Sequence, residues 1–496
     1  MSGPIGLPRR TLMATAAAGV VASVAHTRRG AAQAVPAATD KTAESLFRAV
    51  DERIEAAMKR YRVPGVAVGI YWQGREHLKG FGVTNVDHPL PVDADTLFRI
   101  GSTTKTFTAT AMMRLVDQGK VDLAAAARTY LPDFTLADEA VARSVTVRQL
   151  LSHCAGWLGD DYADYGRGDD ALQRFVTDMK RLPQLTPVGQ VLGYNNAAIC
   201  VAGRVIEVVT GKPYEIALKE LVLEPLGLKH SGFFTDELIG ENISASHGVE
   251  KDRASVANNW AFPRSLDATG GLISSAREQL AYARFHLGDG RGADGKQVLS
   301  PQSLKAMRSN PGPAGTLTME VDGVCVALWQ RRTAQGVPVY QHGGAWGGQK
   351  SDFLFVPDRQ FALVVLTNAA SGGGVLYELG RSGWALEQFC GLSNPPAVPK
   401  PQPADRLAQY EGHYKALTIP PGPFDKIEEM AVELKAANGG LRVSGDSDAE
   451  TVAFYRDEYA LVTDHAGQTA RSDFVRGPDG RVAWFRDGGR LWARQG

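Results

Sequence analysis

The chain carries a helical repeat of apolar residues near its start. Apolar side chains recur there at every fourth position: Leu46, Val50, Ile54 and Met58. This spacing places them on one face of a helix, which Thr39 or Asp40 would cap. Pro64-Gly65 would end it. The pattern therefore predicts a long amphipathic helix at the beginning of the folded region.

Strand patterns lie on both sides of a largely helical middle region. The stretch GVAVGIYWQGREHLKGFGVTN predicts two strands joined around Gln73-Gly74-Arg75. The later stretch GGQKSDFLFVPDRQFALVVLTNAA predicts a hairpin that turns at Pro357-Asp358. Its second strand, Phe361 to Thr367, is almost wholly apolar and so buried on both faces. A helix from Val375 to Phe389 is expected next. Strands from both ends would then form one antiparallel sheet flanked by helices, an α+β fold with a helical subdomain.

A proline-rich segment separates this region from the end of the chain. The stretch GLSNPPAVPKPQPAD cannot sustain a helix or a central strand, so it predicts a stiff linker. Short alternating segments such as TVAFYRD and RVAWFRD follow it at regular spacing. They predict an up-and-down sheet or a small barrel. The expected divisions are a main domain at 40–392, a linker at 393–404 and a β domain at 405–496.

Composition and charge exclude some classes of partner. Of the 496 residues, 44% are hydrophobic and 22% are charged, which is typical of a globular protein with a substantial core. Lys and Arg together number 54, as do Asp and Glu, so the basic balance of nucleic-acid-binding proteins is missing. Beyond the first segment, no apolar run is long enough to span a bilayer. We therefore expect neither a nucleic-acid partner nor a stable membrane span.

Residues 1–34 have the pattern of an export signal. Arg9 and Arg10 precede a mild Ala/Val-rich run, and Ala32-Gln33-Ala34 supplies the small residues of a cleavage site. Paired arginines before a weak apolar region are typical of a twin-arginine signal. The pattern predicts export to the periplasm or the extracellular medium, with a basic tail as the alternative.

The cysteines point to neither metal nor disulfide chemistry. They lie far apart in the chain: Cys154, Cys200, Cys325 and Cys390. There is no CxxC pair and no Cys/His cluster of the kind that binds zinc. We expect buried free thiols, no metal and no cofactor.

Three short motifs carry the candidate chemistry. Ser102 and Lys105 lie three positions apart at the predicted start of a helix, so their side chains share one face. A serine needs a neighbouring base to act as a nucleophile, and a lysine in a buried helix can lose part of its charge. Alone, this pair is better explained by a capping serine and a surface lysine, because such pairs also occur by accident. However, Tyr194-Asn195-Asn196 precedes a second apolar helix, and His342-Gly343-Gly344 lies at a strand end.

The order Ser-x-x-Lys, Tyr-x-Asn, His-x-Gly resembles the serine β-lactamase and penicillin-binding protein superfamily. The strongest resemblance is to its class C-like branch of esterases and D-aminopeptidases. It extends over about residues 43–389 and includes LLSHCAGW, LVLEPLGLKHSGF and DATGGLISSAREQLAYARF. The tail after Pro403, with YEGHYK, is similar to the lipocalin-like barrel appended to several such enzymes.

The resemblance implies a mechanism with an acyl-enzyme intermediate. Ser102 would attack a carbonyl carbon, and Lys105 and the Tyr194 phenolate would share the role of base. Tyr194 would later return a proton to the leaving group. No cofactor takes part in such a reaction.

The resemblance also implies substrate-binding residues. The backbone N–H groups of Ser102 and Ala345 would hold the oxyanion, and Asn196 would bind the substrate amide or the catalytic lysine. Gly344, with the glycine before it, would let the substrate backbone approach the strand edge. His342 replaces the lysine that β-lactamases carry at this strand, and a neutral histidine receives anions less well.

We therefore expect an exported serine hydrolase that acts on a small-molecule or short-peptide substrate, as D-aminopeptidases, DD-peptidases and esterases do. A peptide-cyclising thioesterase or transpeptidase is one alternative. A non-catalytic protein that binds cell-wall fragments is another. The type of substrate, its side chains and the oligomeric state are not encoded in recognisable motifs.

Overall fold

The computed structural model describes residues 42–250, 253–257, 260–422, 426–464 and 467–496, so the predicted export signal lies outside the described residues. A 3-10 turn at Gly101–Thr103 leads into α2, and π-helical segments at Lys219–Leu223 and Tyr377–Arg381 follow α7 and α12. The α-helices are α1 (Ala43–Tyr61), α2 (Thr104–Asp117), α3 (Glu139–Ser144), α4 (Val147–Leu151), α5 (Ala171–Asp178), α6 (Asn196–Thr210), α7 (Tyr214–Leu218), α8 (Glu224–Leu226), α9 (Asp267–Gly270), α10 (Ala276–Leu287), α11 (Pro301–Ala306), α12 (Gly373–Leu376), α13 (Trp384–Cys390) and α14 (Ala404–Leu407).

The strands form one large open sheet, one barrel and several two-stranded pairings. They are β1 (Gly65–Trp72), β2 (Arg75–Gly82), β3 (Leu97–Arg99), β4 (Asp161–Ala163), β5 (His247–Glu250), β6 (Arg253–Val256), β7 (Ile273–Ser275), β8 (Gly315–Thr316), β9 (Glu320–Val321), β10 (Gly323–Val324), β11 (Trp329–Arg332), β12 (Pro338–Trp346), β13 (Gln349–Val356), β14 (Phe361–Thr367), β15 (Gly412–Gly422), β16 (Glu428–Ala437), β17 (Gly440–Gly445), β18 (Ala449–Arg456), β19 (Tyr459–Asp464), β20 (Thr469–Arg476), β21 (Val482–Asp487) and β22 (Arg490–Arg494).

The open sheet joins the two ends of the main region, as predicted. Its order is β10-β11-β12-β13-β14-β1-β2, and every pairing in it is antiparallel. The apolar strand β14 is buried on both faces: Leu363 packs in one core cluster with Val50 of α1, and Val364 packs in another with Leu280 of α10. The predicted turns of both hairpins and the whole of β14 are confirmed.

Two predicted helix boundaries differ in the structure. The N-cap of α1 is Thr42, whose hydroxyl accepts a hydrogen bond from the N–H of Ser45 at 3.3 Å. The continuous helix expected from Val375 to Phe389 is interrupted between the π-helical segment and α13. Gly383 has a φ of 88° there, a left-handed conformation that ends a right-handed helix.

Helix α2 lies in the centre of the main region. Its residues from Thr104 to Met113 are buried on every side, as expected of a helix enclosed by others. Phe107 stacks on Tyr282 of α10 with ring centroids 3.8 Å apart. Thr108 donates a hydrogen bond to the carbonyl of Ala268 in α9 at 2.7 Å. The first turn of this helix is therefore held by neighbours on several sides.

The end of the chain forms a closed eight-stranded antiparallel barrel, β15 to β22. Closure comes from β15, which pairs with both β16 and β22. Stacked aromatic side chains fill its interior: Tyr410, Tyr414, Phe454, Phe474 and Phe485. Strand β15 also pairs in parallel with β4 of the main region, where Ile419 lies opposite Asp161. The predicted small barrel is confirmed, and it is joined to the main region through this shared strand pairing.

The four cysteines are free and buried, as predicted. Within the described ranges, no three His, Cys, Asp or Glu side chains are placed to hold a metal ion. None of the helices seen there is long and apolar enough to cross a membrane.

Candidate active site

The nucleophile candidate lies where β3 turns into α2. Gly101 has a φ of 53°, and a Cβ at this position would lie 2.6 Å from the backbone nitrogen of Ala345. Glycine is therefore required both for the turn and for close contact with β12. Ser351 of β13 donates a hydrogen bond to the carbonyl of Ile100 at 2.7 Å, which fixes the loop to the sheet. Ser102 is held on this rigid turn and faces a cavity.

Lys105 lies one helical turn further on and is fully buried. Its Nζ donates hydrogen bonds to Ser102 Oγ at 2.9 Å and to the carbonyl of Thr269 at 2.8 Å. No carboxylate among the described residues lies within ion-pair distance of it. Burial holds the pKa of Lys105 well below its ordinary value. A buried ammonium without a carboxylate partner is disfavoured, so this environment shifts Lys105 toward the neutral amine beside the serine hydroxyl.

Tyr194 lies in the loop before α6, close to both residues. The centroid of its ring is 5.1 Å from Lys105 Nζ. Its backbone N–H donates to the carbonyl of Gly489, in the barrel, at 2.8 Å. His153 stacks against the ring with centroids 4.3 Å apart, and its Nδ1 accepts a hydrogen bond from the N–H of Asn195 at 3.1 Å. His153 therefore positions the tyrosine loop.

The protonation of Tyr194 follows from its surroundings. Burial raises the pKa of Tyr194 to about 12, although a hydrogen bond with Ser102 and the charge of Arg490 both act to lower it. The guanidinium carbon of Arg490 lies 4.6 Å from the ring centroid. At neutral pH the side chain is therefore a phenol rather than a phenolate.

Arg490 enters the site from the barrel and is tied to the main region by Asp160. Its Nε and Nη2 donate to the two carboxylate oxygens of Asp160 at 2.8 and 3.1 Å. Burial would raise the pKa of Asp160, but the charge of Arg490 and the hydrogen bonds from Arg490, Tyr162 and Asn196 together hold that pKa below its ordinary value. Asn196 donates to Asp160 at 3.0 Å and to the Tyr162 hydroxyl at 3.2 Å. The amide of Asn196 thus belongs to this network, and no hydrogen bond joins it to Lys105 within the described residues.

The end of β12 forms the opposite wall. A Cβ on Gly344 would lie 1.9 Å from the carbonyl oxygen of Ile100 and 2.8 Å from the backbone nitrogen of Ser102. The strand and the nucleophile loop are therefore in direct backbone contact, which any side chain at Gly344 would prevent. Ala345, the next residue, also lines the cavity.

His342 lies behind this wall rather than in the cavity. Its side chain is fully buried, with its ring 4.5 Å from that of Trp329. Burial, followed by the charge of Lys105, lowers the pKa of His342 to about 3. His342 shares its face of β12 with Gly344, but its ring packs against the rings of Trp329 and Tyr194, the latter at 6.3 Å between centroids, and does not line the cavity as the predicted substrate contact would. Its contribution is to pack behind the tyrosine and the tryptophan.

The cavity has a volume of about 440 Å³, and its walls combine aromatic side chains with polar and charged ones. The aromatic side chains that line it are Tyr162, Tyr194, Phe262, Trp329 and Trp346. Trp346 is anchored by its Nε1, which donates to the carbonyl of Ala261 at 2.9 Å. The barrel contributes Pro421, Gly488 and Arg490. No sequence motif pointed to these barrel residues or to Phe262; the glycine pair before Arg490 indicated only a tight turn.

Comparison with known proteins decides the family. The family model described as beta-lactamase matches residues 50–381. The chain belongs to the beta-lactamase family. Its fold is that of the β-lactamase and penicillin-binding protein-like serine hydrolases, and the protein is a serine hydrolase of this superfamily.

The relatives include enzymes with different names. The chain is 35% identical to penicillin-binding protein 4 of Amycolatopsis lactamdurans, over 71% of this chain and 93% of that protein. It is 30% identical to esterase EstB of Burkholderia gladioli, over 69% of this chain and 95% of that protein. The crystal structure of SurE matches with a TM-score of 0.71 and 27% identity, covering 92% of this chain and all of SurE. A crystal structure of SurE with D-Leu matches with a TM-score of 0.69.

Proposed function

We propose that the protein is an exported serine hydrolase that acts on short peptides, amides or esters through an acyl-enzyme at Ser102. The contact of 2.9 Å between the buried amine of Lys105 and the Ser102 hydroxyl carries this proposal. The relatives named as a penicillin-binding protein and an esterase support it. The twin-arginine pattern of residues 1–34 supports export.

The proton transfers follow from the pKa directions. Neutral Lys105 accepts the proton of Ser102 as Oγ attacks the carbonyl carbon. The N–H groups of Ser102 and Ala345 stabilise the oxyanion that forms. Tyr194 is a phenol, so it gives its proton to the leaving group and is reprotonated by Lys105. Water then attacks the acyl-enzyme, and the proton transfers run in reverse. Tyr194 passes its proton to Lys105 and takes one from the attacking water, and Lys105 returns a proton to Ser102 Oγ as the acyl group leaves. Lys105 rather than a Tyr194 phenolate is thus the first base.

The aromatic walls suit apolar parts of a substrate. Aromatic faces bind aliphatic and aromatic groups well, and the open edge of β12 beside Gly344 can pair with a peptide backbone. The similarity to SurE, which was crystallised with D-Leu, supports substrates that contain a D-residue.

Acyl transfer to an amine is the second candidate function, in place of hydrolysis. The barrel residues Pro421, Gly488 and Arg490 cover part of the cavity and so reduce access of water to the acyl-enzyme. A non-catalytic binding protein is disfavoured, because such a protein has no need of the serine–lysine contact.

The test is turnover of p-nitrophenyl esters, D- and L-aminoacyl p-nitroanilides and nitrocefin by the native protein and by Ser102→Ala. We expect the native protein to turn over at least one ester or anilide and Ser102→Ala to lose that activity. Ser144→Ala, at an exposed helix end, is the matched control and should keep it. Added glycinamide would give an aminolysis product if acyl transfer dominates. Equal turnover by native protein and Ser102→Ala would contradict the proposal.

A further inference from the structure

Helix α2 holds two successive carbonyl groups of α9. Lys105 and Thr108 lie three positions apart and so share one face of α2. Lys105 Nζ donates a hydrogen bond to the carbonyl of Thr269 at 2.8 Å. Thr108 Oγ1 donates to the carbonyl of the preceding residue, Ala268, at 2.7 Å. The carbonyl that binds the catalytic lysine is therefore next to one that a second residue of the same helix holds.

A buried tyrosine fixes the direction of the Thr108 hydrogen bond. The hydroxyl of Tyr214, in α7, lies 2.7 Å from Thr108 Oγ1. A threonine hydroxyl has one proton, and Thr108 gives it to the carbonyl of Ala268. Tyr214 must therefore be the donor in its contact with Thr108. Burial holds the pKa of Tyr214 well above its ordinary value, so the phenol keeps the proton that it donates.

The tyrosine is itself held in place. Its backbone N–H donates to Glu207 Oε1 at 3.1 Å, and its ring meets that of Phe233 edge to face, with centroids 5.7 Å apart. Thr108 is fully buried and Tyr214 is 1% exposed, so neither hydroxyl can exchange its partner for bulk water. The two hydroxyls thus form a fixed anchor for α9.

The position of α9 matters for the proton transfer from Ser102. To accept this proton, the lone pair of the neutral Lys105 amine must point at Ser102 Oγ, 2.9 Å away. A hydrogen bond from one N–H of the amine to the Thr269 carbonyl restricts rotation of the amine and so orients the lone pair. Helix α9 has only four residues, so contacts with α2 contribute more to its position than its own hydrogen bonds do.

We propose that Thr108 and Tyr214 are positioning residues for the general base, because they fix the part of α9 that orients the Lys105 amine. This inference rests on the proposed function of Ser102. Among the described residues that line the active-site cavity, neither Thr108 nor Tyr214 is present, so both act through Lys105. Loss of the Thr108 hydroxyl leaves a buried carbonyl and a buried phenol without partners, and α9 must shift to satisfy them.

Thr110 provides a matched comparison on the same helix. Its Oγ1 lies 2.8 Å from the hydroxyl of Tyr282, and both side chains are fully buried. Tyr282 belongs to α10 rather than to α7, and Thr110 makes no contact with the carbonyl groups of α9 in the described structure. Thr110→Val therefore removes an equivalent buried contact without releasing α9.

The test is single-turnover stopped-flow kinetics with a neutral p-nitrophenyl ester and the enzyme in excess. This assay gives the acylation rate constant and the Kd of the ester separately. Thr108→Val should lower the acylation rate constant by about 10-fold to 100-fold and leave the Kd within about two-fold of the native value. Thr108→Ser, which keeps a hydroxyl, and Thr110→Val should both keep the rate constant within about three-fold of native.

A second matched pair keeps the test decisive if a threonine variant fails to fold. Tyr214→Phe and Tyr282→Phe each remove one hydroxyl and retain the packing of the ring. Tyr214→Phe should lower the acylation rate constant by about three-fold to ten-fold, and Tyr282→Phe by less than about two-fold. Urea unfolding followed by circular dichroism should show similar losses of stability within each pair.

Three outcomes have distinct meanings. Equal acylation rate constants within the pairs that fold would overturn the inference, because the buried contacts would then contribute only to stability. A loss in Thr108→Val that appears only in the Kd would overturn it as well. Absence of Ser102-dependent acylation in the native protein would instead count against the proposed function.

Discussion

Replacing Arg490 with glutamine removes a barrel cation from beside the catalytic lysine and should change the pH dependence of hydrolysis. Lys105 must be neutral to accept a proton, so the acidic limb of the profile of kcat/KM against pH follows the pKa of Lys105. Burial lowers the pKa of Lys105 most; Arg490 lowers it further, and Asp160 raises it. Arg490→Gln should therefore move the acidic limb to higher pH, and Asp160→Asn should move it to lower pH.

The expected magnitude follows from the distances. Arg490 Cζ and Lys105 Nζ lie 4.6 and 5.1 Å from the centroid of the same tyrosine ring. The two charges are therefore at most about 10 Å apart, where Coulomb's law gives about 0.4 kcal/mol in water and about 1.7 kcal/mol at an effective dielectric constant of ~20. The Arg490 side chain is 37% exposed, so solvent screening favours the lower half of this range. At a fixed pH on the acidic limb, kcat/KM should fall by about two-fold to five-fold.

The assay is kcat/KM as a function of pH with a neutral p-nitrophenyl ester. The position of the limb on the pH axis does not depend on the fraction of active enzyme, so partial loss of folded protein does not affect it. The double variant Arg490→Gln with Asp160→Asn removes both charges and should return the limb toward its native position. If both single variants move the limb in the same direction, the electrostatic reasoning is wrong.

Two further predictions concern backbone contact and stability. Gly344→Ala should reduce kcat by about 100-fold or more, because its Cβ would lie 1.9 Å from a carbonyl oxygen of the nucleophile loop. The control is Gly240→Ala, whose Cβ would point into open space. Equal kcat in the two variants would contradict the argument. Arg486→Met leaves Asp473, 5% exposed, as an unpaired buried carboxylate and should lower the free energy of unfolding by about 3–5 kcal/mol. In urea unfolding followed by circular dichroism, a change no larger than that of the exposed control Arg481→Met would refute the second prediction.

Local sequence patterns were sufficient to predict much of the fold and part of the candidate active site. An i, i+3 pair on a helix has one geometry, so the contact of Ser102 with Lys105 follows from its spacing. The apolar run Phe361–Thr367 similarly required a strand covered on both faces. The prediction that Tyr194 lies beside Ser102 and Lys105 rested on the family resemblance, because no local sequence rule relates segments so far apart in the chain.

The remaining features depend on how distant segments pack together. Arg490 and Asp160 are 330 positions apart, and their ion pair exists only because the barrel docks beside β4. His342 was expected in the cavity, but Trp329 and Tyr194 pack against its ring and leave it fully buried. Neither outcome can be read from composition, periodicity or motif spacing, since both are set by tertiary packing.

Intact-mass spectrometry of the protein after reaction with a fluorophosphonate tests the central claim most directly. One covalent adduct, mapped by peptide sequencing to Ser102 and missing from folded Ser102→Ala, is the predicted result. Lys105→Met should slow the labelling strongly, because it removes the base that contacts the hydroxyl at 2.9 Å. A folded native protein that gains no adduct, or that carries it on another residue, would contradict the account.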